Sequence, residues 1–342
     1  MSPSKRSKRG AQRGKPELRA LFTCVGRRVE LINAFRRAGD SHCIKLDIHG
    51  ADASQLSPAI YHVDKPHIVP SVTSGRYVDA LVRVVRREGI DLLIPLLDPE
   101  LPLLASEVGR FTELGCYVLV SSAVTVKTCR DKVAAHKMLK RARIDTPATW
   151  LWADAMKRKR HRFPLFLKPR KGSAAMGNHK VNTLEELAAF GRRVPDAIVQ
   201  EFVDGAEHTL DVYTGFDGKP RCVVPRKRLE VRSGEVSKGI IVKDPAIIDI
   251  GKRVAEALGD CRGVITVQCI VTPRGRIRVI EINPRFGGGV PLAIHAGADF
   301  PKWILADVLG KKTRINPVGY RSGVAMLRYD ESVFVSGASR FK

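Results

Sequence analysis

Residues 278–289 read Arg278-Val279-Ile280-Glu281-Ile282-Asn283-Pro284-Arg285-Phe286-Gly287-Gly288-Gly289. In an extended strand side chains alternate between faces, so Glu281 and Asn283 point the same way while Val279, Ile280 and Ile282 supply the apolar strand. Two oxygen-bearing side chains on one face suit a hard divalent cation, which takes oxygen ligands and keeps waters or phosphates. Arg285 follows with a planar fork of donors that matches phosphate oxygens. The Gly-rich turn allows close backbone approach. Together these features describe a metal–nucleotide site. The same residues also describe a strand that simply ends in an Asn-Pro turn.

The run sits among others of matching chemistry. Phe163–Pro169 is a short strand that ends in Lys168, followed by the small-residue stretch Gly172-Ser173-Ala174-Ala175-Met176-Gly177. A lysine there can counter phosphate charge, and small residues let backbone N–H groups fold over phosphates. No GK[ST] follows, so this is not a Walker loop. Ala197–Val212 joins strand-like runs through Glu201-Phe202-Val203, and its Glu207, Thr209 and Asp211 share a face. Gln268 lies on an apolar run, Ile265–Val271, expected to pair with Arg276–Ile282 through the turn 272–275 and so to bring Gln268 near Glu281. The segment 225–239 is densely basic, with Arg228, Arg232 and Lys238 able to meet an anion or simply to line a charged hairpin.

In this order the motifs resemble those of the ATP-grasp superfamily, in particular the branch of carboxylate–amine ligases like the carbamoyl phosphate synthase large subunit. The resemblance runs from about Leu18 to Gly310. It implies an α/β fold: an N-terminal open parallel-sheet domain, then a two-lobed α+β ATP-grasp domain. It further implies that Lys132, Lys168, Gly172, Ser173, Ala174 and Gly177 meet the nucleotide phosphates. By the same resemblance Glu201, Phe202 and Val203 meet adenine through the backbone, and Glu207 meets the ribose. Gln268, Glu281 and Asn283 would hold Mg²⁺, or Mn²⁺ in its place. Arg285, Arg228 and Lys238 would act at the reacting acyl phosphate. Ala175 stands where relatives often carry Ser or Gly. The implied activity joins a carboxylate to an amine with ATP cleaved to ADP and phosphate. A bicarbonate-activating enzyme like biotin carboxylase and a non-catalytic ATP-binding regulator are the alternatives.

The expected organisation is a basic disordered tail over 1–18, a Rossmann-like domain over 19–122 and an ATP-grasp domain over 123–313. The last has a lid over about 150–203, and a C-terminal extension covers 314–342. Strand and helix signals alternate through 19–122, as a parallel sheet wrapped by helices requires. Asp47 falls where a ribose-binding acid would sit, but the first turn, Val25-Gly26-Arg27-Arg28, lacks the GxGxxG of a dinucleotide fold. Arg27 and Arg28 at that helix start could hold an anion. Asp98 and Glu100 follow the C-terminal end of a strand, where open α/β sheets place ligands, although Glu100 equally reads as a helix N-terminal acid. A helix is expected from about Ala123 to Ala142, carrying Asp131 and Lys132.

The chain has 342 residues, 44% of them hydrophobic, and a formal net charge of +24. That length can bury a sizeable core, and no apolar run approaches the ~18–20 residues of a membrane span. Much of the tail's charge comes from Lys5, Arg6, Lys8, Arg9, Arg13 and Lys15, with few apolar residues beside them. Nucleic acid is not expected as a partner beyond that tail, and the run 157–162 reads as a solvated basic face. The seven cysteines include no CxxC pair and fit buried free thiols in a reducing compartment, so a cytoplasmic location is expected. The expected partners are small-molecule carboxylate and amine substrates, and the chain is compatible with a homodimer.

Overall fold

A computed structural model of the chain describes residues 16–172, 176–232 and 234–337. Fifteen strands among them form three sheets. The first sheet has the order β3-β2-β1-β4-β5, with β1 Glu17–Thr23, β2 Lys45–Asp52, β3 Lys65–Ile68, β4 Leu92–Pro95 and β5 Tyr117–Val118. All its pairings are parallel. Parallel neighbours need crossovers, and the amphipathic segments between these strands supply them, including the helices Val29–Ser41 and Tyr77–Glu88. Leu21, Phe22, Leu93 and Ile94 are fully buried, as strands covered on both faces require. β1 begins at Glu17, inside the stretch 1–18 read above as a tail; residues 1–15 lie outside the described ones. β2 runs on to Asp52, so Asp47 is a mid-strand residue, hydrogen-bonded to His49.

The second sheet has four strands in the order β6-β9-β7-β8, all antiparallel: β6 Thr149–Leu151, β7 Leu165–Pro169, β8 His179–Val181 and β9 Ala197–Glu201. Leu165, Leu167, Val199 and Ala197 turn one face to the helices Trp152–Met156 and Leu184–Arg193. Period-2 alternation then puts Phe166 and Lys168 on the opposite face.

The third sheet has six strands, ordered β14-β13-β10-β11-β12-β15: β10 Ala206–Thr214, β11 Pro220–Arg232, β12 Glu235–Ile241, β13 Gly263–Val271, β14 Ile277–Asn283 and β15 Ala325–Leu327. The expected hairpin forms, and its register sets Gln268 opposite Glu281. One face packs Leu210, Val212, Val223 and Val267 on Ile247, Ile250 and Val254 of the helix Pro245–Leu258. The other face is polar. Registry aligns Thr209 with Gln268 and with Arg226, Asp211 with Thr266, and Thr266 with Asn283. The chemistry-bearing residues of four strands therefore share one surface.

The helix expected over 123–142 is two helices, Ala123–Arg130 and Lys132–Arg141. Asp131 leaves the helical region (φ −106°, ψ 104°) and its side chain accepts from the N–H groups of Val133 and Ala134. It is the N-cap of the second helix, a role that suits a short carboxylate. The first sheet and the last helices share one core, in which Phe35 packs edge-on against Phe22 and Phe286. Among the described residues no helix is long and apolar enough to cross a membrane. All seven cysteines are free thiols, Cys43 being exposed.

Candidate functional site

The metal-strand residues meet as the alternation requires. Asn283 Nδ2 donates to Glu281 Oε1 at 3.1 Å, so one amide group steadies the carboxylate. The Asn283 backbone carbonyl accepts from the Arg285 N–H at 2.8 Å, whereas its side-chain amide oxygen accepts no hydrogen bond from the described residues. A bulge lies between Gln268/Cys269 and Glu281/Val279, with Ile280 the extra residue. A bulged residue leaves the ladder, and the Ile280 carbonyl accepts from Lys168 Nζ at 3.4 Å. That contact joins the second sheet to the third. Burial pushes the Lys168 ammonium from the ordinary 10.5 down to about 8; Glu281 and Glu207 pull it up and Lys132 pushes it down.

Lys132 is nearly buried at the start of its helix, where Nζ donates to the Gly172 carbonyl at 3.1 Å. Its own backbone N–H reaches the Arg170 carbonyl at 3.2 Å. Arg170 in turn pairs with Asp131 at 2.5 Å and holds that carboxylate below the usual range. Lys132, Gly172, Glu281 and Asn283 line one small cavity together with Asp98 and Arg130. Gly177 turns through a positive φ of 71°. Ser173 and Ala174 lie outside the described residues.

Arg285 bonds with Asp98 at 2.5 Å, an ion pair across 187 positions that ties β14 to the loop after β4. Both groups are mostly buried, which strengthens their attraction. Glu100, by contrast, is structural. It is fully buried and accepts from Thr23 Oγ1 at 2.7 Å, Tyr77 Oη at 2.6 Å and the Leu96 and Leu97 N–H groups at 2.9 Å. Burial raises its pKa and those donors oppose the rise.

Glu207 pairs with Arg228 across β10 and β11. Beside them Asp211 and Arg226 form a buried pair at 2.6 Å that the sequence reading did not single out. The Glu201 carboxylate takes Arg278 at 2.7 Å, and its backbone N–H donates to the Ala148 carbonyl at 2.9 Å. Phe202 and Val203 make no backbone hydrogen bond with described residues, so their N–H and C=O groups are free to meet a flat heterocycle edge. The Lys180 ammonium lies 4.4 Å above the Phe202 ring. Lys238 is not part of this gathering: it pairs with Glu230 at 2.6 Å, both half-exposed. Arg232 pairs with Asp330 in solvent.

Two family models match the chain. The one described as "PylC-like, N-terminal domain" matches residues 20–119, and "ATP-grasp in the biosynthetic pathway with Ter operon" matches residues 193–330, which include the metal strand and the polar sheet face. Residues 193–330 carry an ATP-grasp domain. Its sequence relatives include the carbamoyl phosphate synthase large chain of Thermoanaerobacter sp. (strain X514), 26% identical over 231 residues that make up 61% of this chain and 21% of that protein. The chain thus spans about a fifth of that relative's length. Among solved structures, the L-amino acid ligase from Bacillus licheniformis superposes with a TM-score of 0.67 at 20% identity, over 86% of this chain and 75% of that one. The N5-carboxyaminoimidazole synthetase from Staphylococcus aureus, complexed with ADP, gives a TM-score of 0.67 at 14% identity, over 88% of this chain and 79% of the other. At those identities the likeness is one of fold.

Proposed function

We propose that the chain is an ATP-dependent ligase that activates a carboxylate as an acyl phosphate and passes it to an amine. The observation that carries this reading is the single cavity lined by Lys132, Gly172, Glu281 and Asn283, with the Lys168 ammonium held one residue away at Ile280. Two lysines beside a carboxylate–amide pair match a nucleotide's phosphates and a divalent cation.

The residues fit Mg²⁺. Glu281 and the side-chain oxygen of Asn283 share a face, and Gln268 stands opposite Glu281 in register. Among the described residues no cluster of three or more His, Cys, Asp or Glu side chains suits a metal, so phosphates would complete the coordination. Bound there, Mg²⁺ would neutralise developing phosphoryl charge.

The chain's own groups would do the rest by position and charge. Lys132 and Lys168 hold phosphate oxygens. Phe202 and Val203 offer backbone groups to adenine, and Glu207 offers oxygens to ribose hydroxyls. Arg285, anchored on Asp98, faces the transferred phosphoryl group. Arg228 keeps Glu207 in place. Lys238, engaged with Glu230, has no role in this scheme. The 172–177 segment would cover the phosphates and keep water from the acyl phosphate.

The test is ADP release by the full chain with Mg²⁺, ATP and a panel of amino acids as both carboxylate and amine. Amine-dependent ADP release with amide formation supports the proposal. ATP binding without turnover on any pair would contradict it.

A further inference from the structure

Three guanidinium groups meet around one carboxylate beside the site described above. Arg28, the residue before the helix Val29–Ser41, lies 3.3 Å from Glu235. Arg328, just past β15, lies 3.3 Å from the other oxygen of Glu235, and Arg27 lies 3.8 Å from it. These residues come from the first turn, the start of β12 and the last strand, so only the tertiary fold brings them together.

The cluster lacks the geometry of a settled ion pair. Charge-assisted hydrogen bonds run at about 2.7–2.9 Å, a spacing that Arg226–Asp211 reaches at 2.6 Å. None of the three contacts to Glu235 is shorter than 3.3 Å. The charges do not balance either. Among the described residues, Arg27, Arg28, Arg328 and the adjacent Arg285 face only Glu235 and Asp98 as ion-pair partners. Burial lowers Arg28 to about 10, with Glu235 and Asp98 resisting and Arg285 and Arg328 adding to the fall.

The Gly288–Gly289 turn lies in the middle. Arg328 donates to the Gly288 carbonyl. A Cβ on Gly288 would sit 2.7 Å from Arg28 Nη1 and 2.8 Å from Glu235 Oε1. A Cβ on Gly289 would sit 2.2 Å from Arg226 Nη1, a buried donor with no partner among the described residues. Arg226 is 1% exposed, so that donor cannot turn to water. The excess of guanidinium over carboxylate asks for an anion, while Arg226, already paired with Asp211, leaves one N–H for any acceptor.

We infer that this cluster is the recognition subsite for an acidic amino acid, resting on the ligase reading above. The α-carboxylate takes Arg28 and Arg328, the α-ammonium takes Glu235, and the side-chain carboxylate extends to Arg285 beside the metal strand. A zwitterionic head matches neighbouring charges of both signs. The second carboxylate supplies the negative charge that the cluster lacks. Arg28, Arg328 and Glu235 act here in specificity.

The experiment is calorimetric titration of the full chain with L-glutamate, L-aspartate, L-glutamine and L-asparagine, in Mg²⁺ and a non-hydrolysable ATP analogue. The analogue alone is titrated in parallel. We expect one acidic amino acid to bind about tenfold or more tighter than its amide. Arg328→Met and Arg28→Met should each weaken it about tenfold or more, the loss of one charged hydrogen bond. Analogue affinity and melting temperature should hold in Arg328→Met, whose parent side chain is one-third exposed. Analogue binding with no acidic amino acid bound, equal binding of the amides, or unchanged affinity in Arg328→Met overturns the inference alone. Failure of the wild type to bind the analogue overturns the ligase reading and this inference with it.

Discussion

Replacing Lys168 with methionine should make the protein more stable and a poorer nucleotide binder. Lys168 is 3% exposed, and its ammonium contacts the Ile280 carbonyl at 3.4 Å with no carboxylate in ion-pair range among the described residues. A fall from 10.5 to about 8 corresponds to about 3 kcal/mol spent on keeping the amine charged inside the fold. Below pH 8 both folded and unfolded chains carry the proton, so the whole cost is present at pH 7. Between pH 8 and 10.5 the folded protein sheds the proton first, the unfolded chain holds more protons, and stability rises. Methionine keeps length and packing without charge, and losing the weak hydrogen bond costs about 1 kcal/mol. The net gain at pH 7 is about 1–2 kcal/mol, a rise of a few degrees in Tm, and it should shrink toward pH 10. Affinity for a non-hydrolysable ATP analogue should fall about 10–150-fold, the value of one charged hydrogen bond. Melts at both pH values and calorimetric titration measure these effects. A variant less stable than wild type at pH 7, with unchanged affinity, would refute the reasoning.

Nucleotide phosphates should restore the Lys168 charge, so binding near pH 8 should take up a fraction of a proton; titrations in buffers of different ionisation heat measure it, and a buffer-independent heat would count against it. Asp211→Ala should cost about 3–5 kcal/mol, because it strands the buried Arg226 guanidinium, and a denaturant melt reads the loss directly. Gly191→Ala should destabilise the second sheet and its helices, because the new Cβ would lie 1.9 Å from Trp152 Nε1, whose N–H donates to the Leu187 carbonyl. Tryptophan fluorescence during unfolding should show an earlier transition in that variant.

Local alternation carried most of the reading. Polar–apolar–polar spacing over Glu281-Ile282-Asn283 is legible because a strand has period 2, and the Thr-Pro-Arg-Gly turn at 272–275 sets the register that brings Gln268 to Glu281. The break at Asp131 was not legible, since neither proline nor glycine marks it and both flanking segments have helical composition. Long-range pairs were out of reach altogether. Nothing near Arg285 announces Asp98, and nothing near Arg28 announces Glu235 or Arg328. Lys238 shows the same limit: its basic stretch suggests a functional reading, and only the fold shows Glu230 as its neighbour on the hairpin.

The most direct test of the metal–nucleotide site is a calorimetric titration of wild type and Glu281→Gln with a non-hydrolysable ATP analogue, each with and without Mg²⁺. The substitution keeps volume and one oxygen but removes the single carboxylate of the Gln268, Glu281 and Asn283 set. Mg²⁺ should tighten binding to wild type by an order of magnitude or more, and Glu281→Gln should lose most of that gain while melting within about 1 kcal/mol of wild type. An equal Mg²⁺ effect in both proteins would contradict the metal–nucleotide site.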